Sequence, residues 1–196
     1  MRALICRAWG EIDTLEMGEM PAPEPGPGQV LIDVVATSAN FADTIMVAGR
    51  YQTKPEFPFA PGLEGAGRVA AVGADVTNIK PGDMVMAKLE HGGFAEQAVS
   101  SATETWPLFK GMTCADGAAF LVAYLSAHLA LRWQGRLEAR ETLLVLGAAG
   151  GSGLAAVEIG KAMGARVIAA ASTPDKLAVA KAAGADELIN YSEGSL

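Results

Sequence analysis

The sequence is poor in the residues that form disulfides and hold metal ions. Its 196 residues contain two cysteines, Cys6 and Cys114, and two histidines, His91 and His128. The cysteines lie far apart and form no CxxC pair, so a disulfide framework is not indicated. A reducing compartment such as the cytoplasm fits this composition.

Long apolar runs and an excess of basic charge are also lacking. No window reaches the ~20 apolar residues that a membrane-spanning helix needs, and residues 1–6 are too short an apolar run for a signal peptide. The net charge of −7 argues against a nucleic-acid-binding surface. We therefore expect a cytoplasmic protein that binds neither membrane nor nucleic acid. Hydrophobic residues make up 51% of the chain, enough for a sizeable core, and a homodimer is compatible with these numbers.

The first 112 residues are predicted to form a mostly antiparallel β domain. Apolar residues alternate along residues 30–36, as in a strand with one buried face. Four prolines fall within residues 21–28, which indicates a connector because proline cannot donate to a strand ladder. Further short strands are predicted at residues 67–72, Met84–Lys88 and 94–99.

Residues 113–196 show a different pattern, in which strands alternate with helices. An apolar stretch at 115–131 predicts a buried helix, and the continuously apolar residues 143–146 are typical of a parallel strand covered on both faces. The elements that follow are predicted as helix 153–163, strand Arg166–Ala171, a helix that begins at Thr173 and Pro174, and a strand from Glu187. This β-α-β-α-β order is the first half of a doubly wound parallel sheet of the Rossmann type. The fold class is therefore α/β.

The sharpest motif follows the first of these parallel strands. It reads Ala148-Ala149-Gly150-Gly151-Ser152-Gly153, a dinucleotide-binding fingerprint with alanine at the first glycine position. Gly150 would let the backbone approach a pyrophosphate, Gly153 would allow close helix packing, and the helix N-terminus would supply amides to the phosphates. The alternative is a glycine-rich turn in some other α/β protein. We predict that residues Ala149 to Gly153 bind the cofactor.

The end of the second parallel strand indicates which nucleotide is bound. An NAD site has an acidic residue there for the ribose hydroxyl, whereas this strand ends in Ser172. Ser172, Thr173 and Lys176 could instead hold a 2′-phosphate, which favours NADPH. In the alternative reading Thr173 is only a helix cap and Lys176 only a solvated charge. Asp175 is a rival for the acidic role, but it lies in the first helical turn, where acids are common.

Taken together, the motifs make the sequence similar to zinc-free NADPH:quinone reductases, related to zeta-crystallin, of the medium-chain dehydrogenase/reductase superfamily. The matching segments are Asn40-Phe41-Ala42-Asp43, Gly49-Arg50-Tyr51, Pro61-Gly62-Leu63-Glu64-Gly65-Ala66-Gly67, Gly82-Asp83-Met84-Val85, Gly92-Gly93-Phe94-Ala95-Glu96, the glycine-rich loop, Gly184-Ala185-Asp186 and Ile189-Asn190-Tyr191. The resemblance covers essentially the whole chain. It implies a GroES-like β domain at residues 1–112 and a partial Rossmann dinucleotide-binding domain at residues 113–196.

The resemblance also implies roles for particular side chains. Asn40 would lie beside the nicotinamide, with Ser126 nearby in place of the threonine usual in the family. Tyr51 would face the substrate pocket, where a phenol can stabilise or protonate the oxyanion left by reduction. Tyr191, in the last matching segment, is predicted to line the cofactor site. The alternatives are that Asn40 only caps a turn and that Tyr51 is a rim aromatic, and Glu64 is interpreted as structural.

No metal site is predicted. In the resemblance, zinc alcohol dehydrogenases of the same superfamily have Cys-His at the positions of Asn40-Phe41. They have Gly-His-Glu at the positions of Gly62-Leu63-Glu64. Residues 92–107 contain no cysteine, so the four-cysteine zinc lobe is also missing. Because zinc needs three or four such ligands, we expect zinc-independent chemistry.

These observations predict an NADPH-dependent oxidoreductase that passes hydride to a quinone or an α,β-unsaturated carbonyl. One alternative is an enoyl-thioester reductase of the same superfamily, and another is a truncated fragment that binds nucleotide without catalysis. Members of the family continue beyond residue 196 with three more strands. The 196-residue chain alone is therefore expected to have little activity.

Overall fold

The computed structural model describes residues 1–194, which form two compact units. The first unit comprises residues 1–122 and the second begins at residue 123. Each unit is built around its own sheet. The mixed architecture, with an antiparallel sheet followed by a parallel one, confirms the predicted fold class.

The first unit is built on a five-stranded antiparallel sheet. In spatial order its strands are β6 (Gln97–Ser101), β3 (Gln29–Thr37), β4 (Glu64–Val72), β5 (Met84–Lys88) and β7 (Thr105–Pro107). A separate antiparallel pair joins β1 (Arg2–Ile5) to β2 (Glu16–Glu19). Every pairing in the unit is antiparallel, as the short alternating strands in the sequence predict.

Alternate side chains of these strands make the core of the first unit. Val30 and Ile32 of β3 pack with Val69 of β4, and all three are at most 2% exposed. Burying a side chain of this size contributes roughly 1.5–3 kcal/mol. Strands β3 and β4 approach closely at Gly67, where a Cβ would lie 1.9 Å from the carbonyl oxygen of Asp33.

Helix α1 (Phe41–Val47) packs on this unit beside the strands. It buries Met46 and Val47 against Phe59 and Leu63. This helix was not predicted from the sequence, because seven residues are too few to show a clear helical period of apolar side chains. Helix α2 (Cys114–Ala118) is also short, and it begins with a capping box in which Thr113 and Asp116 bond to each other's backbone.

Residues 121–134 form a continuous helical stretch of unusual geometry. The short α-helix α3 (Ser126–His128) is flanked by π-helical turns at Leu121–Leu125 and Leu129–Gln134. Such turns are rare in proteins. The division between the two units falls within the first of them.

The second unit contains a three-stranded parallel sheet in the order β10-β9-β8. Its strands are β8 (Thr142–Leu146), β9 (Arg166–Ala171) and β10 (Glu187–Asn190), joined by helices α4 (Gly151–Ala162) and α5 (Pro174–Ala182). Val145, Val157, Val167 and Ala180 form the core between sheet and helices. The β-α-β-α-β order predicted from the sequence is therefore correct.

Some details of the sequence interpretation are wrong. The stretch 115–131 is not one helix, because α2 ends at Ala118 and the Val122 amide donates to the Glu64 carboxylate. Strand β8 is not covered on both faces in the described residues: Leu144 is 48% and Leu146 60% exposed, because alternate side chains point away from α4.

The bounds of several elements also differ from those predicted, and strand β4 begins at Glu64 rather than at residue 67. The strand predicted at residues 94–99 is Gln97–Ser101, since residues 92–94 bond instead to Ala60, Pro61 and Gly62 in a turn. The strand predicted at 30–36 spans Gln29–Thr37, and helix α4 begins at Gly151 rather than Gly153.

Within residues 1–194, no helix is both long and apolar enough to cross a membrane.

Candidate cofactor and active site

The glycine-rich loop connects the carboxyl end of β8 to the start of α4. Gly147 turns the chain with a φ of 63°, and Gly150 is the N-cap residue of α4. A glycine cap has no side chain to accept hydrogen bonds from the first helical amides, which lack partners within the helix. The amides of Gly151, Ser152 and Gly153 are therefore available to bind an anion at this helix end, where the helix dipole is also favourable.

Two glycines of the loop have opposite surroundings. A Cβ on Gly153 would lie 2.3 Å from the Gly147 oxygen and 2.9 Å from the Ala148 Cα, so only glycine fits there. A Cβ on Gly151 would have no atom within 4 Å. Gly153 thus serves the packing of α4 on the loop, while the space in front of Gly151 is open for a ligand.

Ser126 lies beside this loop. It lines an open groove of about 280 Å³ together with Ser152 and Gly153, and the floor of the groove includes Val145 and Leu146. All of these residues belong to the second unit. The structure therefore brings Ser126 together with the predicted cofactor loop, although the two are separated by 26 positions in the sequence.

A second group of predicted cofactor residues gathers where β9 and β10 end. Lys176 Nζ lies 3.4 Å from Ser172 Oγ, to which it donates a hydrogen bond. Thr173 caps α5, since its hydroxyl accepts from the Lys176 amide at 3.3 Å. The amide of Tyr191 donates to the carbonyl of Ala171 at 3.2 Å, which places this tyrosine next to the same strand end.

The two groups lie at one edge of the parallel sheet. The Ala148 amide donates to the carbonyl of Ala170 at 3.1 Å, so the glycine-rich loop is bonded to the end of β9 that leads into Ser172. The carboxyl edge of a parallel sheet is where doubly wound folds bind ligands. No acidic residue occupies the position of Ser172, and the exposed Lys176 supplies a positive charge there.

Asn40 is held at both its backbone and its side chain. Its amide donates to Asp43 Oδ2 at 2.7 Å, as expected at the N-cap of α1. Its carboxamide nitrogen donates to Glu64 Oε1 and to Ser38 Oγ, each at 2.9 Å. The turn cap considered for Asn40 is thus present, but the side chain is bound separately to a buried acid.

Tyr51 lies beyond the end of α1 and is half-buried. Its ring packs against the cluster that contains Phe59 and Leu63. Asn40 bonds to Glu64, the residue after Leu63, so both predicted catalytic side chains are arranged around the same short segment of the first unit. The structure places Asn40 and Tyr51 in the first unit and all other predicted site residues in the second.

Asp43 and Glu64 are the buried acids of this region, at 3% and 1% exposure. Burial raises the pKa of the Asp43 carboxyl, the backbone amides of Asn40, Gly62 and Leu63 oppose that rise, and the nearby Glu64 adds to it. Sequence reasoning treated Glu64 only as structural and gave Asp43 no role. The acid three residues after an N-cap asparagine was the available signal for Asp43.

The positions where zinc enzymes have ligands are occupied by other groups. Leu63 is 6% exposed and packs in the core, and the Asn40 carboxamide is engaged with Glu64. Among residues 1–194, no three histidine, cysteine, aspartate or glutamate side chains are grouped so as to hold a metal ion. Both cysteines are free thiols.

Known protein families match both parts of the chain. Residues 26–128 match the family described as alcohol dehydrogenase GroES-like domain, and residues 151–196 match the family described as zinc-binding dehydrogenase. The chain therefore belongs to the GroES-like alcohol dehydrogenase family, within the medium-chain dehydrogenase/reductase superfamily. The resemblance drawn from the sequence motifs is confirmed at this level.

Within that superfamily the similar proteins include quinone oxidoreductases. Quinone oxidoreductase-like protein 2 of Rattus norvegicus is 40% identical over 177 residues, which cover 89% of this chain and 51% of that protein. The Escherichia coli quinone oxidoreductase complexed with NADPH superposes with a TM-score of 0.93 at 30% identity, over 100% of this chain and 60% of that one. The Thermus thermophilus quinone oxidoreductase, solved with and without NADPH, gives 0.86 at 38% identity, over 98% and 61%. The chain thus spans about half the length of the curated relatives it matches.

Proposed function

We propose that the protein is an NADPH-dependent oxidoreductase that reduces a quinone or an α,β-unsaturated carbonyl compound without zinc. The observation that carries the proposal is the carboxyl edge of the β8-β9-β10 sheet. Two features lie at this edge: the N-terminus of α4, with open space in front of Gly151, and the contact between Ser172 and Lys176. The NADPH complexes of the similar quinone oxidoreductases support the same cofactor here.

The residues of this edge fit the two charged parts of the cofactor. The amides at the start of α4 are suited to the pyrophosphate, because they are oriented donors at the positive end of a helix dipole. Ser172 and Lys176 are suited to the 2′-phosphate, which a carboxylate at position 172 would repel. The bound nicotinamide supplies the hydride; the chain supplies placement and proton handling.

Reduction of a quinone or enone leaves a negatively charged oxygen that must be stabilised and protonated. We propose that the Tyr51 hydroxyl donates to that oxygen and that Asn40 and Ser126 hold the nicotinamide. Tyr191, at the end of β10, is proposed to contact the nucleotide. These roles follow the family resemblance. The packing of Tyr51 on Leu63 and the bonding of Asn40 to Glu64 support them by giving both side chains fixed positions.

Replacing Lys176 with alanine is expected to weaken NADPH binding and to leave NADH binding unchanged. A charge-assisted hydrogen bond contributes roughly 1.5–3 kcal/mol, and because Lys176 is exposed we expect the lower part of that range, about a tenfold rise in Kd. The measurement is a fluorescence titration of the purified protein with each nucleotide.

Lys181→Ala is the matched control for that experiment. Lys181 lies on the same helix, and replacing it removes the same charge. Its Nζ, however, donates to the carbonyls of Ala185 and Asp186, at the opposite end of α5 from Ser172. It should leave both affinities unchanged. An equal loss of NADPH and NADH affinity in Lys176→Ala would contradict the proposed phosphate contact.

We expect the purified protein to contain no stoichiometric zinc and to keep its activity in a chelator. The reason is the pair Asn40 and Leu63 at the positions where ligands would be needed. Elemental analysis, with turnover measured before and after chelation, tests this. One zinc ion per chain, with activity lost on its removal, would refute zinc-independence.

A further inference from the structure

The buried carboxylate of Glu64 has three hydrogen bonds, all of them received from other groups. Ser38 Oγ donates to Oε1 at 2.5 Å and Asn40 Nδ2 donates to the same oxygen at 2.9 Å. The backbone amide of Val122 donates to Oε2 at 2.9 Å. The carboxylate therefore joins the start of α1 to the first π-helical turn, through contacts made entirely within the first unit.

These bonds leave the Asn40 carboxamide only one orientation. Its Nδ2 donates both to Glu64 Oε1 and to Ser38 Oγ, so its two hydrogens are used. A flipped carboxamide would place its oxygen against the carboxylate of Glu64, and two acceptors cannot bond to each other. Asp43 fixes the other half of the residue, because its carboxylate accepts the Asn40 backbone amide at 2.7 Å.

We propose that Glu64 is a positioning residue that sets the orientation of the Asn40 carboxamide for the nicotinamide cofactor. This inference rests on the proposed function, in which Asn40 contacts the nicotinamide. Glu64 does not touch the reacting atoms, and it acts through Asn40. A purely structural Glu64 would satisfy the Val122 amide and affect folding alone.

Glutamine at position 64 separates these roles, because it keeps the size of the side chain but has one acceptor and one donor. If its oxygen accepts from Asn40, its nitrogen faces the Val122 amide, which is also a donor. If it turns round, its nitrogen faces the Asn40 amide nitrogen instead. The first arrangement leaves the Val122 amide unpaired. The second satisfies that amide and also pairs with a flipped Asn40, whose oxygen accepts from the glutamine nitrogen, so Glu64→Gln favours the wrong orientation of Asn40.

The first test is a double-mutant cycle on turnover with NADPH. We expect Glu64→Gln and Asn40→Ala each to lower kcat about tenfold, the scale expected when a positioned group is displaced. The double variant should be no slower than Asn40→Ala, because Glu64 then has nothing left to orient. Effects that multiply to about a hundredfold would show that Glu64 acts independently, and would overturn the proposal.

Thr105→Val provides the control for lost stability. Thr105 is 3% exposed in the same unit, and its hydroxyl donates to the Ser101 carbonyl at 2.8 Å, far from Asn40 in the hydrogen-bond network. Its loss should lower Tm and leave kcat unchanged. If Glu64→Gln behaves in the same way, with Tm lowered and kcat unchanged, Glu64 is structural only.

The second test does not depend on turnover. The side-chain amide signals of Asn40 in a ¹H–¹⁵N NMR spectrum of the nucleotide-free protein are assigned by their loss in Asn40→Ala. They should move in Glu64→Gln and stay in place in Thr105→Val. Unmoved signals in Glu64→Gln would overturn the proposal. Because the 196-residue chain alone is expected to have little activity, binding of NADPH decides the proposed function: if the protein binds no NADPH, the proposed function fails, while the shift of these signals still decides whether Glu64 orients Asn40.

Discussion

Replacing Gly153 with alanine is expected to destabilise the protein by about 1–3 kcal/mol, the usual cost of forcing extra atoms into a packed site. The added methyl group would lie 2.3 Å from the Gly147 oxygen and 2.9 Å from the Ala148 Cα. Both are backbone atoms, so neither can rotate away, and helix α4 must shift relative to the loop. That shift also displaces the helix amides proposed to bind the pyrophosphate. Urea denaturation gives the loss of stability, and titration with NADPH gives the loss of affinity.

Gly151→Ala, two residues away, is the matched control. Its methyl group would meet no atom within 4 Å, and its φ is not in the left-handed region. The free energy of unfolding should be unchanged or higher by ~0.4–1 kcal/mol, because alanine loses less backbone entropy on folding. Its affinity for NADPH should fall about tenfold if the methyl group blocks one charge-assisted bond to a phosphate. Equal loss of stability in both variants would contradict the distinction between the two glycines.

Tyr51→Phe is expected to lower kcat about tenfold to a hundredfold while leaving the Kd for NADPH unchanged. General acid catalysis by a positioned side chain typically contributes a hundredfold or more, and phenylalanine removes only the hydroxyl. The ring keeps its packing on Phe59 and Leu63, so the fold should be unaffected. Steady-state kinetics with a quinone substrate and a nucleotide titration measure the two effects separately.

Tyr51→Leu distinguishes lost chemistry from lost packing. Leucine removes the hydroxyl and the aromatic contact together, so its Tm should fall, whereas the Tm of Tyr51→Phe should stay at the wild-type value. If Tyr51→Phe turns over quinone at the wild-type rate, Tyr51 is a packing residue at the rim.

A substrate panel that includes crotonyl-CoA would also show whether an enoyl thioester is reduced in preference to a quinone.

The order and approximate positions of the strands and helices from β8 onward could be predicted because their signals are local. Strand Glu187–Asn190 and the helix that starts after Thr173 have the predicted positions, and each is defined by side chains next to one another in the sequence. The half-exposed face of β8 could not be predicted in this way. Whether Leu144 and Leu146 are covered depends on distant elements, and an apolar run alone does not identify its neighbours.

The candidate site shows the same division. The glycine-rich loop and the pair Ser172 and Lys176 are residues close in sequence, and both groups were predicted as cofactor-binding candidates. The bonds of Glu64 to Asn40 and Val122 span 24 and 58 positions. The sequence contained each partner but nothing that paired them, because a buried carboxylate finds its donors only when the strand and the two helices are packed.

The π-helical turns around Ser126 have a consequence for how related chains can differ in length. An α-helix turns by ~100° per residue, and a π-helical turn accommodates an extra residue. Deleting one residue within Leu129–Gln134 would restore α-helical geometry and rotate the residues after the deletion by about that angle relative to Ser126. Ala130 and Leu131, which line the same groove as Ser126, Ser152 and Gly153, would then be displaced from it. We therefore expect this groove to be more sensitive to insertions and deletions in the segment than to conservative substitutions.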